Sequence, residues 1–202
     1  MDARMNIKSI LNFWFGTHPD DAVVAKEQAK LWWSKNGETD DEMRRRFEDA
    51  VRAATTGELN EWRATARGRL ALIILTDQFP RNIYRHTARA FFYDSKALAW
   101  CLDGLDGRID RELRPIEQVF FYLPLEHAES REHQAKSVEC FSELAASVPM
   151  EQRSTFEEYL DFAMRHRDII DRFGRFPHRN NILRRESTPE ELAFLTQSVS
   201  FF

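Results

Sequence analysis

Apolar residues recur every three or four positions along almost the whole chain, and no useful length of alternating apolar and polar residues interrupts this pattern. This period places apolar side chains on one face of an α-helix. The composition agrees, since 20 Ala and 17 Leu outnumber 7 Val, and the 202 residues include only 7 Gly and 7 Pro. We therefore predict an all-α protein, a single domain over residues 1–202 with about eight or nine antiparallel helices joined by short connections.

Capping residues and helix breakers predict where several helices begin and end. The helix that begins near Thr65 is predicted to end at Asp77, because Pro80 disfavours α geometry in the residue before it. Asp94 is predicted to cap a later helix. Other helices are predicted to end at Phe15 before Gly16, at Trp33, and at Phe173 before Gly174. Two more helices are predicted to begin at a cap formed by Thr39, Asp40 or Asp41, and at Ser187 to Glu191.

Charge and composition exclude several classes of protein. The net charge is −4 and the pI is near 5.9, whereas nucleic-acid-binding domains are usually basic. The longest apolar run, Leu70 to Leu75, is far too short to cross a bilayer, and the N-terminal segment has no signal-peptide pattern. Cys101 and Cys140 lack metal-binding spacing and are predicted to be reduced core residues. We expect a cytoplasmic protein with no nucleic-acid or membrane partner and no metal or other cofactor.

Two short segments of the chain resemble each other. Residues 79–85 (corner 1) read Phe-Pro-Arg-Asn-Ile-Tyr-Arg, and residues 176–184 (corner 2) read Phe-Pro-His-Arg-Asn-Asn-Ile-Leu-Arg. Each segment follows a predicted helix end and precedes another helix, so we interpret them as related corners of the kind found in α-solenoids, although short matches also arise by chance. Arg outnumbers Lys by 23 to 6. The planar guanidinium of Arg suits the binding of carboxylates and phosphates, and codon bias is the alternative explanation for the excess of Arg. If both corners face one cleft, they form an anion site.

Polar side chains at the two corners are candidate ligand-binding residues. Asp77 lies on an apolar stripe at the predicted C-terminal end of its helix, where the helix dipole disfavours a negative charge, so it needs an arginine partner. A purely structural ion pair is the alternative for Asp77. The remaining candidates are Arg81, Asn82 and Arg85 at corner 1, Arg179 and Asn180 at corner 2, and Arg175 directly before corner 2.

Three side chains are candidates for acid–base catalysis: His178, His127 and Glu126. The alternative for Glu126 and His127 is an ordinary acidic first turn of a helix. His166 lies on an apolar stripe, as either a core histidine or a ligand contact, and Trp33 belongs to an aromatic pair that cannot face one core together. Glu129 and His133 have metal-ligand spacing, but no second such motif supports a metal site. The usual signatures of nucleotide binding, acyl transfer and zinc hydrolysis do not occur.

Four segments of the chain match a known pattern: Phe13-Trp14-Phe15-Gly16, Trp32-Trp33, the string Gly68 to Arg85, and Gly174 to Asn180. In these segments, and from about residue 12 to residue 202, the chain resembles the bacterial DUF924 family. The resemblance implies a single all-α domain with a tetratricopeptide-like helical arrangement, and no established activity. The family commonly has Gly where His86 and Arg184 stand, so we expect these residues to alter the backbone of the loops or to narrow the cleft.

Three functions are compatible with these residues. The first is a binding module for an anionic small molecule or a peptide carboxylate, clamped by arginines of both corners. The second is an enzyme acting on a phosphorylated or carboxylated substrate, with a His or Glu as the acid or base. The third is a structural or adaptor protein. A shared site requires guanidinium groups from both corners to converge within roughly 10 Å around an accessible cavity.

Overall fold

The computed structural model describes residues 6–197, and all regular structure within that range is helical. This confirms the all-α prediction, while the tetratricopeptide-like arrangement and the single domain stay predictions. The α-helices are α1 (Ile7–Phe15), α2 (Asp21–Trp33), α3 (Gly37–Thr56), α4 (Ala66–Ile73), α5 (Phe79–Ile83), α6 (Asp94–Asp106), α7 (Pro115–Glu126), α8 (Arg131–Ser147), α9 (Arg153–Phe173) and α10 (Pro189–Leu195). Short 3₁₀ turns lie at Asn60–Ala64, Ala88–Phe91, Ile109–Glu112 and Pro177–Arg179.

Several predicted helix ends are confirmed. Helix α1 ends at Phe15, and Gly16 follows it with a φ of 69°. Helix α9 ends at Phe173, and Gly174 adopts the left-handed conformation with a φ of 71°. Thr188 caps α10 in a reciprocal capping box with Glu191. Glycine breakers and hydroxyl caps therefore act locally, which is why the sequence alone places these ends correctly.

Two predicted caps are wrong. Helix α3 begins at Gly37 and is capped by Asn36, whose side-chain oxygen accepts hydrogen bonds from Glu38 N and Thr39 N. The prediction of Thr39, Asp40 or Asp41 fails because the chain enters the helix one turn earlier. Asp94 lies in the first turn of α6 and makes no capping hydrogen bond. Its carboxylate instead binds Arg81, so a long-range ion pair replaces the local cap.

The helix through Asp77 does not end there, which corrects a further prediction. Residues Ile74–Gln78 form a π-helical turn that joins α4 and α5 into one central rod, residues 66–83. Phe79 N donates to Ile74 O, a spacing of five residues instead of four. Pro80 then stands at the first turn of α5, where its missing N–H costs little. The wider turn thus carries the chain past the proline, and π turns of this kind are frequent at functional sites.

The core is built around the central rod and α7. Leu70 to Leu75 and Ile116 to Leu125 are buried almost throughout. Helix α4 packs on α1, α6 and α7, and α8 packs between α7 and α9. Cys101 and Cys140 are buried free thiols, as predicted. A small second cluster joins Ile169, Ile170, Phe176 and Phe194 beside corner 2. Among residues 6–197, no helix is long and apolar enough to span a membrane.

Candidate functional site

A cleft of about 500 Å³ opens between the start of α6, the connection from α7 to α8, and corner 2. Its apolar lining includes Phe91, Phe92, Leu98 and Leu183, and its polar lining includes Asp94, His127, Glu129, Ser130, His133 and Arg179. Phe92 is 74% exposed, so the apolar wall reaches the protein surface. The cleft therefore combines an apolar wall with charged groups of both signs.

The two corners meet at one carboxylate. Arg81 of corner 1 binds Asp94 through two parallel hydrogen bonds of 2.8 Å and 2.9 Å. Arg179 of corner 2 places its Nη1 atom 3.5 Å from Asp94 Oδ2. Both guanidinium groups thus contact Asp94 and lie within the roughly 10 Å that a shared site requires. Of the two, only Arg179 is among the residues that line the cleft. Sequence reasoning treated Asp94 only as a helix cap, because nothing local distinguishes a cap from the partner of two remote arginines.

Arg179 is buried but poorly satisfied. Its side chain is 7% exposed, and its guanidinium lies over the rings of Phe91 and Phe176, at 4.7 Å and 4.5 Å from their centroids. Within the described residues it makes one hydrogen bond, from Nη1 to His127 O at 3.1 Å, and its buried Nε has no partner there. Burial and the neighbouring Arg81 lower the pKa of Arg179 to about 10. Arg179 is therefore still charged at neutral pH, and several of its N–H groups remain available to a ligand.

Asp77 and His127 form a buried hydrogen-bonded pair. The Asp77 carboxylate is fully buried, and its Oδ1 lies 2.8 Å from His127 Nδ1. Arg81 lies 3.2 Å from the same oxygen, and Gln78 Nε2 donates to the other oxygen at 2.5 Å. Burial alone would raise the pKa of Asp77, but the charge of Arg81 and the hydrogen bonds from His127 and Gln78 outweigh it and hold the pKa below its ordinary value. Asp77 is therefore ionised in the folded protein.

Glu126 and His166 lie behind this pair. Glu126 is 4% exposed, and its Oε1 is 3.2 Å from His166 Nδ1. Burial, with a smaller contribution from Asp77, raises the pKa of Glu126 to about 8, so this carboxyl is protonated at neutral pH. His166 Nδ1 is 2.9 Å from Phe162 O. Burial lowers the pKa of His166 to about 3. Neither Glu126 nor His166 is among the residues that line the cleft.

The remaining predicted site residues lie outside the cleft lining. Arg85 binds Asp40 in a bidentate ion pair, with its Nε at 2.7 Å. Arg175 likewise binds Glu191, at 2.7 Å and 2.9 Å. Of the four arginines expected to form a clamp, the structure thus brings together only Arg81 and Arg179, because buried carboxylates engage the other two.

His178 and Trp33 also lie outside that lining. His178 packs 5.6 Å from the Phe176 ring, and its buried Nδ1 has no hydrogen-bond partner in residues 6–197. Burial, followed by the charge of Arg179, lowers its pKa to about 3. Trp33 is 52% exposed and stacks on Phe120 with ring centroids 5.9 Å apart. His178 is close enough to Arg179 to feel its charge, whereas Trp33 belongs to a separate aromatic cluster.

The two corners share a side-chain contact as well as a sequence. Asn82 Oδ1 accepts a hydrogen bond from Arg85 at 2.6 Å, and Asn180 Oδ1 accepts one from Arg185 at 2.9 Å. The amide nitrogen of Asn82 donates to Gln78 O, and that of Asn180 donates to Ser187 Oγ. Each asparagine therefore holds an arginine that follows it in the chain, which favours a structural role for both. The two arginines are not at matching positions, because Arg185 lies just beyond corner 2.

A residue with left-handed backbone geometry follows corner 1, and another is the last residue of corner 2. His86 has a φ of 65° and Arg184 has a φ of 55°. Both residues adopt the backbone conformation that Gly adopts at least cost. A left-handed backbone at these two residues lowers the stability of the folded protein.

Glu129 and Arg185 are two members of the site region that sequence reasoning missed as a pair. Arg185 binds Glu129 through two hydrogen bonds of 2.6 Å and 2.9 Å, and Glu129 also accepts from Phe176 N at 2.8 Å. They lie 56 residues apart in the chain, so no local pattern connects them. This ion pair fixes corner 2 against the start of α8. No group of three or more His, Cys, Asp or Glu side chains in the described part of the chain could hold a metal ion.

The fold and the site together define an all-helical protein with a mixed-charge cleft at two related corners. The chain belongs to DUF924, a family of bacterial proteins of unknown function, whose model matches residues 10–199. It is also similar to the solved structure of a protein of unknown function from Agrobacterium tumefaciens, with 36% sequence identity and a TM-score of 0.77. That match covers 94% of this chain and 96% of the other. No curated protein matches this chain.

Proposed function

We propose that the protein binds a small amphipathic carboxylate in the cleft and that Arg179 is the anchor for its negative charge. The single observation that carries this proposal is the state of Arg179, a guanidinium that is 7% exposed, lines the cleft and has one hydrogen bond to the described residues. A buried donor without a partner costs free energy. A carboxylate in the cleft would supply acceptors for the remaining donors in a geometry that suits the guanidinium fork.

The rest of the cleft favours a carboxylate over a phosphate. Asp94 and Glu129 both line it, and their negative charges oppose a dianion more than a monoanion. Phe91, Phe92 and Leu183 provide apolar surface next to Arg179, which suits a ligand with an aliphatic or aromatic body. We therefore expect a molecule with one carboxylate and an apolar body of modest size.

Thermal unfolding with added ligands tests this proposal. Hexanoate and benzoate are compared with inorganic phosphate, and a short apolar peptide with a free C-terminus is compared with its amidated form. At about 100 times its dissociation constant, a ligand stabilises the folded state by about 2.7 kcal/mol, which raises the midpoint of a protein of this size by about 5–10 °C. We expect this shift with the small carboxylates and a much smaller one with phosphate.

Two variants make the test specific. Arg179→Ala should abolish the carboxylate-induced shift, measured relative to the variant without ligand. The control Arg52→Ala removes an arginine whose side chain is 69% exposed and, among residues 6–197, forms an ion pair with exposed Asp49 alone. This variant should retain the full shift. A carboxylate-induced shift that Arg179→Ala keeps in full would contradict the proposed anchor. No shift with any carboxylate, despite an intact fold, would contradict the binding function itself.

A further inference from the structure

We infer that Asp77 and His127 form an acid–base pair that opens onto the cleft, with His127 Nε2 as a general base next to the bound carboxylate. This inference rests on the proposed function, since it places a reactive group beside the ligand that Arg179 would hold. It goes beyond that function because it makes the cleft a catalytic site and not only a binding site. The chemistry that it supports is the hydrolysis of a substrate that carries a carboxylate.

The orientation of His127 follows from the state of Asp77. Asp77 faces the cation Arg81 at 3.2 Å and accepts a hydrogen bond from Gln78, so it is ionised and can only accept at the atom that faces His127. The 2.8 Å contact therefore requires the proton of a neutral His127 ring to be on Nδ1. The lone pair is then on Nε2. A carboxylate that orients a histidine in this way is the arrangement by which such a base is held ready in serine hydrolases.

The position of His127 makes Nε2 available to a substrate. The residue lines the cleft, and its side chain is 14% exposed, whereas Asp77 is fully buried. None of the described residues hydrogen-bonds to Nε2, while the backbone carbonyl of His127 accepts from Arg179 at 3.1 Å. The hydrogen bond from Arg179 to His127 O therefore places the proposed base next to the proposed anchor. Asp77 lies in the π turn of the central rod, whereas His127 directly follows α7, so the pair joins these two elements.

Burial is the main reason that the pKa of His127 lies below its ordinary value. Burial and the charge of Arg81 lower its pKa, and the attraction of Asp77 and Asp94 only partly opposes them. A base must be unprotonated to act, so the lowered pKa leaves most of the protein in the active form at neutral pH. The charged or titratable groups that act on the ring include Asp77, Arg81, Asp94, His166 and His178. Arg179 donates to the backbone carbonyl of the same residue.

The proposed step is the attack of water on a carboxylic ester. His127 Nε2 takes a proton from a water molecule while the water oxygen forms a bond to the ester carbonyl carbon. The bond from that carbon to the alcohol oxygen then breaks, and the imidazolium returns the proton to the departing oxygen. The products are a carboxylic acid and an alcohol, the water is consumed, and His127 regains its neutral state.

Ester hydrolysis and the tautomer of His127 test this inference. The probes are the mono-4-nitrophenyl ester of adipic acid, which carries a carboxylate, and neutral 4-nitrophenyl acetate. General bases contribute about 10²–10⁴ in rate, so His127→Gln should reduce hydrolysis of the anionic ester by at least about 100-fold. Asp77→Asn should reduce it as well, and long-range proton–nitrogen NMR of the unsubstituted protein should show the proton of His127 on Nδ1. Equal rates for the unsubstituted protein and His127→Gln, or a proton on Nε2, would overturn the inference.

The two proposals fail in different ways. If the base is correct but the anchor is wrong, both esters depend on His127, and Arg179→Ala changes neither rate. If the anchor is correct but the base is wrong, carboxylates still stabilise the protein through Arg179, and neither ester depends on His127. Because Asp77→Asn disturbs a buried ion pair, its folded state is checked by circular dichroism, and the tautomer measurement supports or overturns the inference without that variant.

Discussion

Replacing Glu126 by Gln should stabilise the protein at neutral pH and should not stabilise it in acid. Glu126 is 4% exposed and contacts His166, and burial raises the pKa of its carboxyl to about 8. In the unfolded chain the same carboxyl returns to an ordinary value near 4.5. Between these two values the folded protein must keep a proton that the unfolded chain releases. Glu126→Gln removes the need for that proton and keeps the side-chain shape.

The size of the effect follows from proton linkage. A group whose folded pKa lies above its unfolded pKa stabilises the protein fully below the unfolded value, and this stability is lost as the pH rises through the folded value. Each pH unit in that interval is worth about 1.4 kcal/mol. Between the ordinary pKa and pH 7, the unsubstituted protein loses about 3 kcal/mol of its free energy of unfolding. Glu126→Gln avoids this loss, but its unpaired amide N–H costs about 1 kcal/mol. We therefore expect Glu126→Gln to gain about 2 kcal/mol at pH 7.

Urea unfolding at pH 4.5 and at pH 7.5 measures this difference. The free energy of unfolding of Glu126→Gln should exceed that of the unsubstituted protein at pH 7.5 and not at pH 4.5. Glu129→Gln is the matched control with the opposite sign. Burial alone would raise the pKa of Glu129, but hydrogen bonds from Arg185 and Phe176 outweigh burial and hold the pKa below its ordinary value. The stability that Glu129 contributes is therefore present above its ordinary pKa and lost in acid. A pH-independent effect of Glu126→Gln would refute the account of a buried protonated carboxyl.

Three further substitutions give separate tests. Gly68→Ala places a Cβ 2.1 Å from Trp62 O, a backbone atom that cannot move aside, so it should cost about 3 kcal/mol in urea unfolding, whereas Gly37→Ala meets nothing within 4 Å and should not destabilise. Arg184→Gly relieves a left-handed residue with a φ of 55° and should raise the stability by about 0.5–1 kcal/mol, and an unchanged or lower thermal midpoint would contradict this. Asp94→Asn removes a negative charge from the cleft wall and should tighten benzoate binding about tenfold in calorimetric titration, which corresponds to about 1.4 kcal/mol. Weaker binding would show that Asp94 positions Arg179 more than it opposes the ligand.

The helical class and several helix ends could be predicted from the sequence because they depend on neighbouring residues. Gly16 and Gly174 end helices through their own backbone freedom, and Thr188 caps a helix through residues in the same turn. The end at Asp77 was predicted wrongly for the same reason. Local rules describe Pro80 as a helix breaker, and they do not contain the π turn by which the chain continues past it.

The candidate site could be predicted only in part. The matching corners identified Arg81 and Arg179, which the fold brings to one carboxylate. They did not distinguish these two from Arg85 and Arg175, because the carboxylates that engage the latter pair come from α3 and α10. Asp94 was recognised only as a helix start, since its two partners are remote in sequence. Side chains that pair across the fold leave no local pattern.

A crystal structure with 4-bromobenzoate measures directly whether a carboxylate binds at Arg179. The anomalous signal of bromine locates the ring independently of the protein model. We predict a bromine peak in the cleft between Phe91 and Leu183, with the carboxylate within hydrogen-bond distance of the unpaired donors of Arg179. A bromine peak outside the cleft, or an empty cleft at saturating ligand concentration, would contradict the central claim.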